Sequence, residues 1–155
     1  MTKNTDTRRN FVIFVLGIFL SAGCHQEKVF REDQVCFRGK CIGVEVVYKK
    51  EDVVHGLQGR DALPDNHGML FVFSDAAVHS FWMKDTLIPL DMIWLDYSRR
   101  VVHIEDNVPP CQRDPCATYA PSRKAMYVLE VNARKAAQWG IKLGEEFEFR
   151  FKDLP

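Results

Sequence analysis

Three short apolar runs in the middle of the chain dominate its hydrophobic pattern. They are Met69–Phe73, Val78–Met83 and Leu90–Leu95, and loop-forming residues separate them. Each run has the length of a strand and carries apolar residues at both odd and even positions. The pattern therefore predicts buried strands whose two faces are both covered by other parts of the fold.

Further short segments on both sides of these runs alternate as strands do. They are Gly43–Tyr48, Val101–Ile104, Met126–Val131 and the segment that carries Phe147, Phe149 and Phe151. Two short helices are expected, one within Lys49–Gln58 and one over Ala133–Trp139. Asp52 can cap the first, while Asn132 can begin the second and Gly140 end it. About seven strands without a βαβ rhythm predict a mainly β, single-domain fold, either a β-sandwich or a partly closed barrel.

The first 24 residues have the pattern of an export signal. A positively charged start precedes the apolar run Phe11–Leu20, which is half as long as the roughly 20 residues that a membrane-spanning helix needs. Leu20-Ser21-Ala22-Gly23-Cys24 resembles a bacterial lipobox, in which cleavage precedes the cysteine and its sulfur carries diacylglycerol. This resemblance implies a signal peptide over 1–23, a lipidated Cys24, a polar tether over 24–34 and a domain over 35–155.

Two features near this signal bear on the route and the destination. Thr7–Val12 contains two adjacent arginines and looks like a twin-arginine signal, whereas the strongly apolar run favours the general secretory route. His25 follows the lipobox cysteine, which favours the outer membrane if the cell is Gram-negative. The sequence thus predicts a lipid-anchored protein of the bacterial cell envelope that faces the periplasm.

Composition and charge exclude several classes of partner. Hydrophobic residues make up 46% of the 155 residues, which is enough for a packed core. Lys plus Arg equals Asp plus Glu at 21 each, so no field is present that would hold a phosphate backbone. We therefore expect no nucleic-acid partner, and we expect the protein to be a monomer whose ligand is a small molecule, a sugar or a peptide.

Lipidation of one of the five cysteines would leave four, which form two pairs of equal spacing. A two-residue turn at Arg38-Gly39 would place Cys36 opposite Cys41, at a distance that a disulfide can span. Cys111 and Cys116 lie in a Pro-rich loop. Two local disulfides are expected in an oxidising compartment, and one four-thiolate metal site is the alternative. On the first interpretation the protein carries no metal and no cofactor.

Several motifs, in order along the chain, are similar to those of the family called domain of unknown function 192. They are Gly56–Arg60, Gly68–Phe73, Phe81–Thr86, Ile88–Asp91 and Tyr127–Glu130. The resemblance covers about residues 43–150 and implies a β-sandwich or jelly-roll-like fold with no settled activity. Family members more often have Met at position 58 and Asn at position 85. Asp85 would therefore add a charge that needs a partner, such as Lys84 or Arg60.

Two carboxylates are predicted to lie among apolar neighbours. Asp91 shares a strand face with Ile93 and Leu95, and Glu130 shares one with Val128. Buried carboxylates need donors or cations unless they perform chemistry. The pair could carry out general acid–base catalysis, or each could be structural and paired with Arg60 or Lys84.

The remaining polar candidates leave three functional hypotheses. His79 lies alone on its strand, which is more typical of a structural histidine than of a metal ligand. A groove-lining tryptophan among the three would suggest a platform for a sugar or peptide. The hypotheses are a binding module, a small hydrolase or metal-dependent enzyme that uses Asp91, Glu130 and His79, and a purely structural lipoprotein. The candidate ligand-binding residues are Arg60, His79, Lys84, Asp91, Tyr119 and Glu130.

Overall fold

The structure, a computed structural model, describes residues 32–152. The predicted signal peptide, the predicted lipidation site at Cys24 and most of the tether lie outside the described residues. The elements in chain order are β1 (Gln34–Phe37), β2 (Lys40–Val47), α1 (Lys50–His55), β3 (His67–Ala77), β4 (Phe81–Trp82), β5 (Leu90–Leu95), β6 (Val101–Val108), β7 (Thr118–Tyr119), β8 (Ala125–Asn132), α2 (Lys135–Trp139) and β9 (Glu148–Arg150). Neither helix of this part of the chain is long and apolar enough to cross a membrane.

Seven strands form one curled sheet in the order β6-β5-β8-β3-β2-β1-β9, which closes into a half-barrel. A second small sheet pairs β4 with β7. The mainly β fold with two short helices is therefore confirmed, and the partly closed barrel is the form that the sheet takes. The sequence shows no βαβ rhythm, yet the sheet contains one parallel pair that this pattern did not indicate. Strands β2 and β3 are parallel neighbours, and α1 lies in the crossover that such a pair requires.

Both faces of the sheet are covered, as the sequence pattern predicted. We call one the Ile93 face, whose core is Val35, Phe37, Ile42, Val44, Leu70, Ile93, Leu95, Val101, Leu129, Val131, Ala136, Ile141 and Phe147. We call the other the Trp94 face, whose core is Leu57, Leu63, Met69, Phe71, Met83, Leu90, Met92, Trp94, Val102, Val108, Ala125 and Val128. Every residue of β5 is buried, because this strand packs against both clusters.

The central apolar run Val78–Met83 is not the buried strand that its composition predicted. Strand β3 extends to Ala77, which pairs with Ala125 after a shift in register, so the chain turns away from the main sheet directly afterwards. Only Phe81 and Trp82 then form a strand, and they pair with β7. Val78 is 54% exposed and Trp82 49% exposed. Most of the run therefore lies at the surface, and Met83 is its one residue in the core of the Trp94 face.

Neither helix begins with the side-chain cap that the sequence predicted. No side chain caps α1 at Lys49, so Asp52 does not act as its cap. Asn132 donates from Nδ2 to the carbonyl oxygen of Leu63 at 2.8 Å and therefore does not begin α2. That helix starts after Arg134, which has a left-handed backbone, with φ of 69°. Gly140 ends it with φ of 67°, as predicted.

Both predicted disulfides are present. Cys36 pairs with Cys41 directly across the β1–β2 hairpin, where the two Cα atoms are 4.0 Å apart. The turn residues Arg38 and Gly39 both have positive φ, which is the two-residue turn that the sequence predicted. Cys111 pairs with Cys116 within the loop between β6 and β7. These bonds occupy all four thiols, so the four-thiolate metal site is excluded.

Candidate functional site

A cleft of about 420 Å³ opens on the Trp94 face of the sheet. Helix α1 and the segment after it form one side, and the turn between β3 and β4 forms the other. Residues of α1 and its C-terminal extension contribute aliphatic groups, namely Val53, Val54 and Leu57. This volume lies within the range of cavities that hold small molecules, roughly 300–1,000 Å³.

Two glycines allow the main chain to approach closely beside this cleft. Gly56 ends α1 with φ of 50°, and a Cβ atom at this position would lie 3.4 Å from the ring of Phe71. A Cβ atom on Gly68 would lie 2.7 Å from the carbonyl oxygen of Glu130, which is too close for any side chain. Space therefore requires a glycine at position 68, where β3 passes β8, whereas the positive φ favours a glycine at position 56.

Aromatic rings form much of the cleft lining and fix one another. The His79 ring stacks on Phe73 with centroids 3.5 Å apart, and Phe81 meets Phe71 edge to face at 4.9 Å. Trp94, which is fully buried, donates from Nε1 to the carbonyl oxygen of His79 at 2.9 Å. His79 donates from Nε2 to the carbonyl oxygen of Asp75 at 3.0 Å. These contacts hold the β3–β4 turn in one position over the sheet.

Glu130 is the acidic residue of this cleft, and it is 4% exposed. It lies at the centre of a cross-strand row that runs across five strands in the order Glu45, Met69, Glu130, Met92 and Glu105. The two methionines are its immediate neighbours in the sheet. Glu130 therefore combines an ionisable group with an apolar environment and access to an open volume.

No hydrogen bond or ion pair reaches the Glu130 carboxyl from any residue between 32 and 152. Because burial removes water without supplying a donor, it raises the pKa of Glu130 to about 8. The side chain is therefore mostly a neutral carboxylic acid at pH 7. A neutral acid can donate a hydrogen bond, and it can ionise when a positive charge arrives.

Asp91 has the opposite environment, although it is also buried. Its Oδ1 accepts hydrogen bonds from the backbone N–H groups of Asn107 at 2.7 Å and Arg134 at 2.9 Å, and its Oδ2 accepts one from Ala136 at 2.7 Å. Asn107 and Arg134 both have positive φ. Asp91 thus holds two left-handed turns and the start of α2, and it lies on the Ile93 face, as predicted.

The structure does not bring the two carboxylates together. Met92, which follows Asp91, pairs with Glu130 across β5 and β8, so Asp91 points to the opposite side of the sheet. A catalytic pair of these two acids would have to act through the sheet itself. Each acid lies within an apolar strand segment of the sequence. The environments of the two acids in the structure are nevertheless unrelated.

Three other predicted site residues lie outside the cleft lining. The Arg60 guanidinium pairs with both carboxylate oxygens of Glu45, and these hydrogen bonds hold the pKa of Glu45 below its usual value. Lys84 Nζ lies 3.9 Å from a carboxylate oxygen of Asp114. Tyr119 pairs with Phe81 in the small sheet and packs on the Trp94-face core. Of the six predicted residues, His79 and Glu130 line the cleft.

Sequence reasoning missed the side of the cleft formed by α1, as well as Ser80, Thr86 and Thr118. The available signal was the Gly56-Leu57-Gln58 motif, which directly follows α1.

The residue at position 85 also has a simple structural explanation. Asp85 is exposed with φ of 54°, a backbone conformation that Asn tolerates well, and its carbonyl oxygen accepts from Gly59 N–H at 2.8 Å. Within residues 32–152 its carboxylate forms no ion pair, so the expected partnership with Lys84 or Arg60 does not occur.

Comparison with known proteins places these features in a family. No curated protein matches the chain. A protein of unknown function from Novosphingobium aromaticivorans DSM 12444 is 31% identical, with a TM-score of 0.68 over 75% of this chain and 82% of that chain. A Sinorhizobium meliloti 1021 protein with the provisional designation of transcription regulator is 28% identical, with the same TM-score over 76% of this chain and 91% of that chain. The family model described as "Uncharacterized ACR" matches residues 33–149, and the chain therefore belongs to the DUF192 family.

Proposed function

We propose that this protein is a small-ligand-binding module of the bacterial cell envelope, and that its binding site is the Glu130 cleft. The supporting observation is the carboxyl of Glu130, which is buried, faces an open volume and has no partner among residues 32–152. No side-chain nitrogen or oxygen of the described residues is both sealed from solvent and without a partner, so the Glu130 carboxyl is reached from the cleft. A ligand in the cleft could supply the partner that the protein does not.

Binding accounts for the arrangement better than hydrolysis does. Asp91 is fully engaged by three backbone N–H groups and lies on the other side of the sheet. Glu130 and His79 line the cleft, but His79 Nε2 is bonded to the backbone of its own turn. The aromatic lining and the partly exposed Trp82 at the cleft are typical of binding sites.

The cellular location is the second part of the proposal. Cys24 would carry the lipid, and residues 24–34 would link it to the domain. The test is Cys24→Ala in cells labelled with a radioactive fatty acid, with Cys36→Ala as a matched loss of one cysteine. Loss of label and of membrane association in the first variant alone is expected. Unchanged labelling of Cys24→Ala would refute the lipid anchor.

Ligand binding can be tested on the full-length protein in detergent. A thermal-shift and ligand-observed NMR screen would cover sugars, amino acids, short peptides, organic cations and organic anions. Glu130→Leu fills the site with apolar atoms, whereas Glu105→Gln alters the acid two strands away in the same row and leaves the cleft unchanged. A hit that is lost in the first variant and kept in the second supports the proposal. The proposal fails if all hits bind both variants equally.

A further inference from the structure

We propose that the ligand of this cleft is a small organic cation, an ammonium group carried on an apolar body, and that Glu130 is its counter-ion. This inference rests on the proposed function and specifies the chemical class of the ligand. It follows from the signs of the charges that the cleft presents, from its aromatic lining and from its volume.

The side chains that line the cleft carry one acid and no strong base. Among residues 32–152, Glu130 is the only lining side chain with a carboxyl group, and no lysine or arginine lines the cleft. An anionic ligand would meet a group that can become negative, and no positively charged side chain in the lining itself. A cation would supply the counter-charge that Glu130 lacks, in a site where low polarity strengthens the attraction.

The aromatic lining favours the same sign of charge. Four benzenoid or indole side chains line the cleft, namely Phe71, Phe73, Phe81 and Trp82. The face of each ring is negative, so it attracts cations and does not stabilise anions. The protein itself contains one contact between a cation and a ring at the edge of the site. Lys84 Nζ lies 5.8 Å from the centroid of the Trp82 ring.

Protonation of the empty cleft gives the proposal its most specific consequence. At pH 7 Glu130 retains its proton, since burial raises its pKa to about 8. Binding of a cation R₄N⁺ would convert the acid to a carboxylate paired with the ammonium, and the proton would leave to solvent. Affinity should therefore weaken about tenfold for each pH unit below 8.

Other ionisable groups near Glu130 must be separated from this effect. His55 and His79 line the cleft, Lys84 lies beside Trp82, and Glu45 and Glu105 stand at the two ends of the cross-strand row. Any of these could add a pH dependence of its own. Glu130→Gln removes the proposed titration and keeps the shape of the protonated acid, so the dependence that survives in this variant belongs to the other groups.

The experiment compares choline with its uncharged isostere, the alcohol in which a carbon atom replaces the nitrogen. Isothermal titration calorimetry on the full-length protein would measure both at about pH 9 and about pH 7, in buffers of different ionisation enthalpy. We expect choline to bind at least about tenfold more tightly than the isostere at pH 9. At pH 7 its affinity should fall about tenfold, with release of about 0.9 proton per choline bound.

Two variants complete the design. Glu130→Gln should remove the preference for choline and the proton release, whereas Glu105→Gln should retain both. Equal affinity for choline and its isostere, or stronger binding of choline at low pH, would overturn the cation inference while leaving the cleft as a ligand site. Binding of organic anions or sugars in place of cations would do the same. If no compound of any charge binds in the cleft, the proposed function fails as well.

Discussion

The two buried acidic residues of the central sheet stand on adjacent strands, yet their surroundings differ completely. Asp91 on β5 neighbours Val131 on β8, and Glu130 is the next residue along β8. Asp91 is 0% exposed and accepts three backbone hydrogen bonds, whereas Glu130 is 4% exposed and receives none from residues 32–152. The alternation of side chains along a strand sends one acid to each face of the sheet.

This difference separates a structural acid from a candidate binding acid. The Asp91 carboxyl has hydrogen-bond partners on both oxygens, and these partners are main-chain groups that no rotamer change can remove. The Glu130 carboxyl has no hydrogen-bond partner among residues 32–152. A ligand that supplied one would therefore gain binding free energy from that contact. Burial of a carboxylate therefore does not by itself distinguish a structural role from a binding role. The partners of the carboxylate, and the volume that it faces, decide which role it can have.

The largest expected effect is on stability, at Asp91. Asp91→Ala would leave the backbone N–H groups of Asn107, Arg134 and Ala136 without their acceptor, at a cost of about 4 kcal/mol in the free energy of unfolding. Asp91→Asn retains one acceptor oxygen and should cost about 2 kcal/mol. Urea unfolding measures both values. A loss below about 1 kcal/mol in the alanine variant would contradict the structural role.

The second prediction concerns the pH dependence of stability and tests the other acid. Its folded-state pKa of about 8 is above that of the unfolded chain, so the folded protein binds more protons between these two values and loses stability as pH rises. From pH 6 to pH 9 this group should lower the free energy of unfolding by about 3 kcal/mol. Glu130→Gln cannot titrate and should lack this decline.

Urea unfolding at several pH values would measure the difference between wild type and Glu130→Gln. The difference should shift in favour of the variant as pH rises, so that the variant is the more stable protein at pH 9. Glu105→Gln lies in the same cross-strand row and should follow the wild-type slope. Parallel curves for wild type and Glu130→Gln would mean that Glu130 is not isolated from water.

The faces of the two acids were predictable from the sequence, but their environments were not. Strand alternation placed Asp91 with Ile93 and Glu130 with Val128, and the structure agrees. The donors to Asp91 come from residues 16, 43 and 45 positions away, a separation that local patterns do not span. Asn107 is of a residue type that adopts a left-handed backbone readily, whereas Arg134 gives no such signal.

The cleft itself depends on two tertiary features that local patterns do not contain. The first is the parallel pairing of β2 with β3, which brings α1 alongside the sheet. The second is the early departure of the chain after Ala77, which exposes Val78 and Trp82 although their run is as apolar as a core strand. Local disulfides, by contrast, were predictable because a two-residue turn fixes the distance between Cys36 and Cys41.

The two disulfides differ in their relation to the cleft, so they offer a second comparison. Each closes a short loop, so loss of either should cost about 2 kcal/mol in the free energy of unfolding. The double variant Cys36→Ala/Cys41→Ala should leave ligand affinity unchanged, because the β1–β2 hairpin contributes no residue to the cleft lining. Cys111→Ala/Cys116→Ala should also weaken binding, because this loop leads directly into β7 and Thr118 lines the cleft. Thermal unfolding and the choline titration measure the two effects, and equal loss of affinity in both double variants would contradict the prediction.

The smallest expected effect on stability is at Trp82, where the loss should be almost entirely functional. Trp82 is 49% exposed beside the cleft, and Tyr97 is 75% exposed and does not line it, so the two offer a matched pair of aromatic deletions. Trp82→Ala and Tyr97→Ala should each change the free energy of unfolding by less than about 0.5 kcal/mol. Only Trp82→Ala should weaken choline binding, by about tenfold, since it removes one ring face from the site. Equal affinities of the two variants for choline would show that the Trp82 ring does not contribute to binding of the cation.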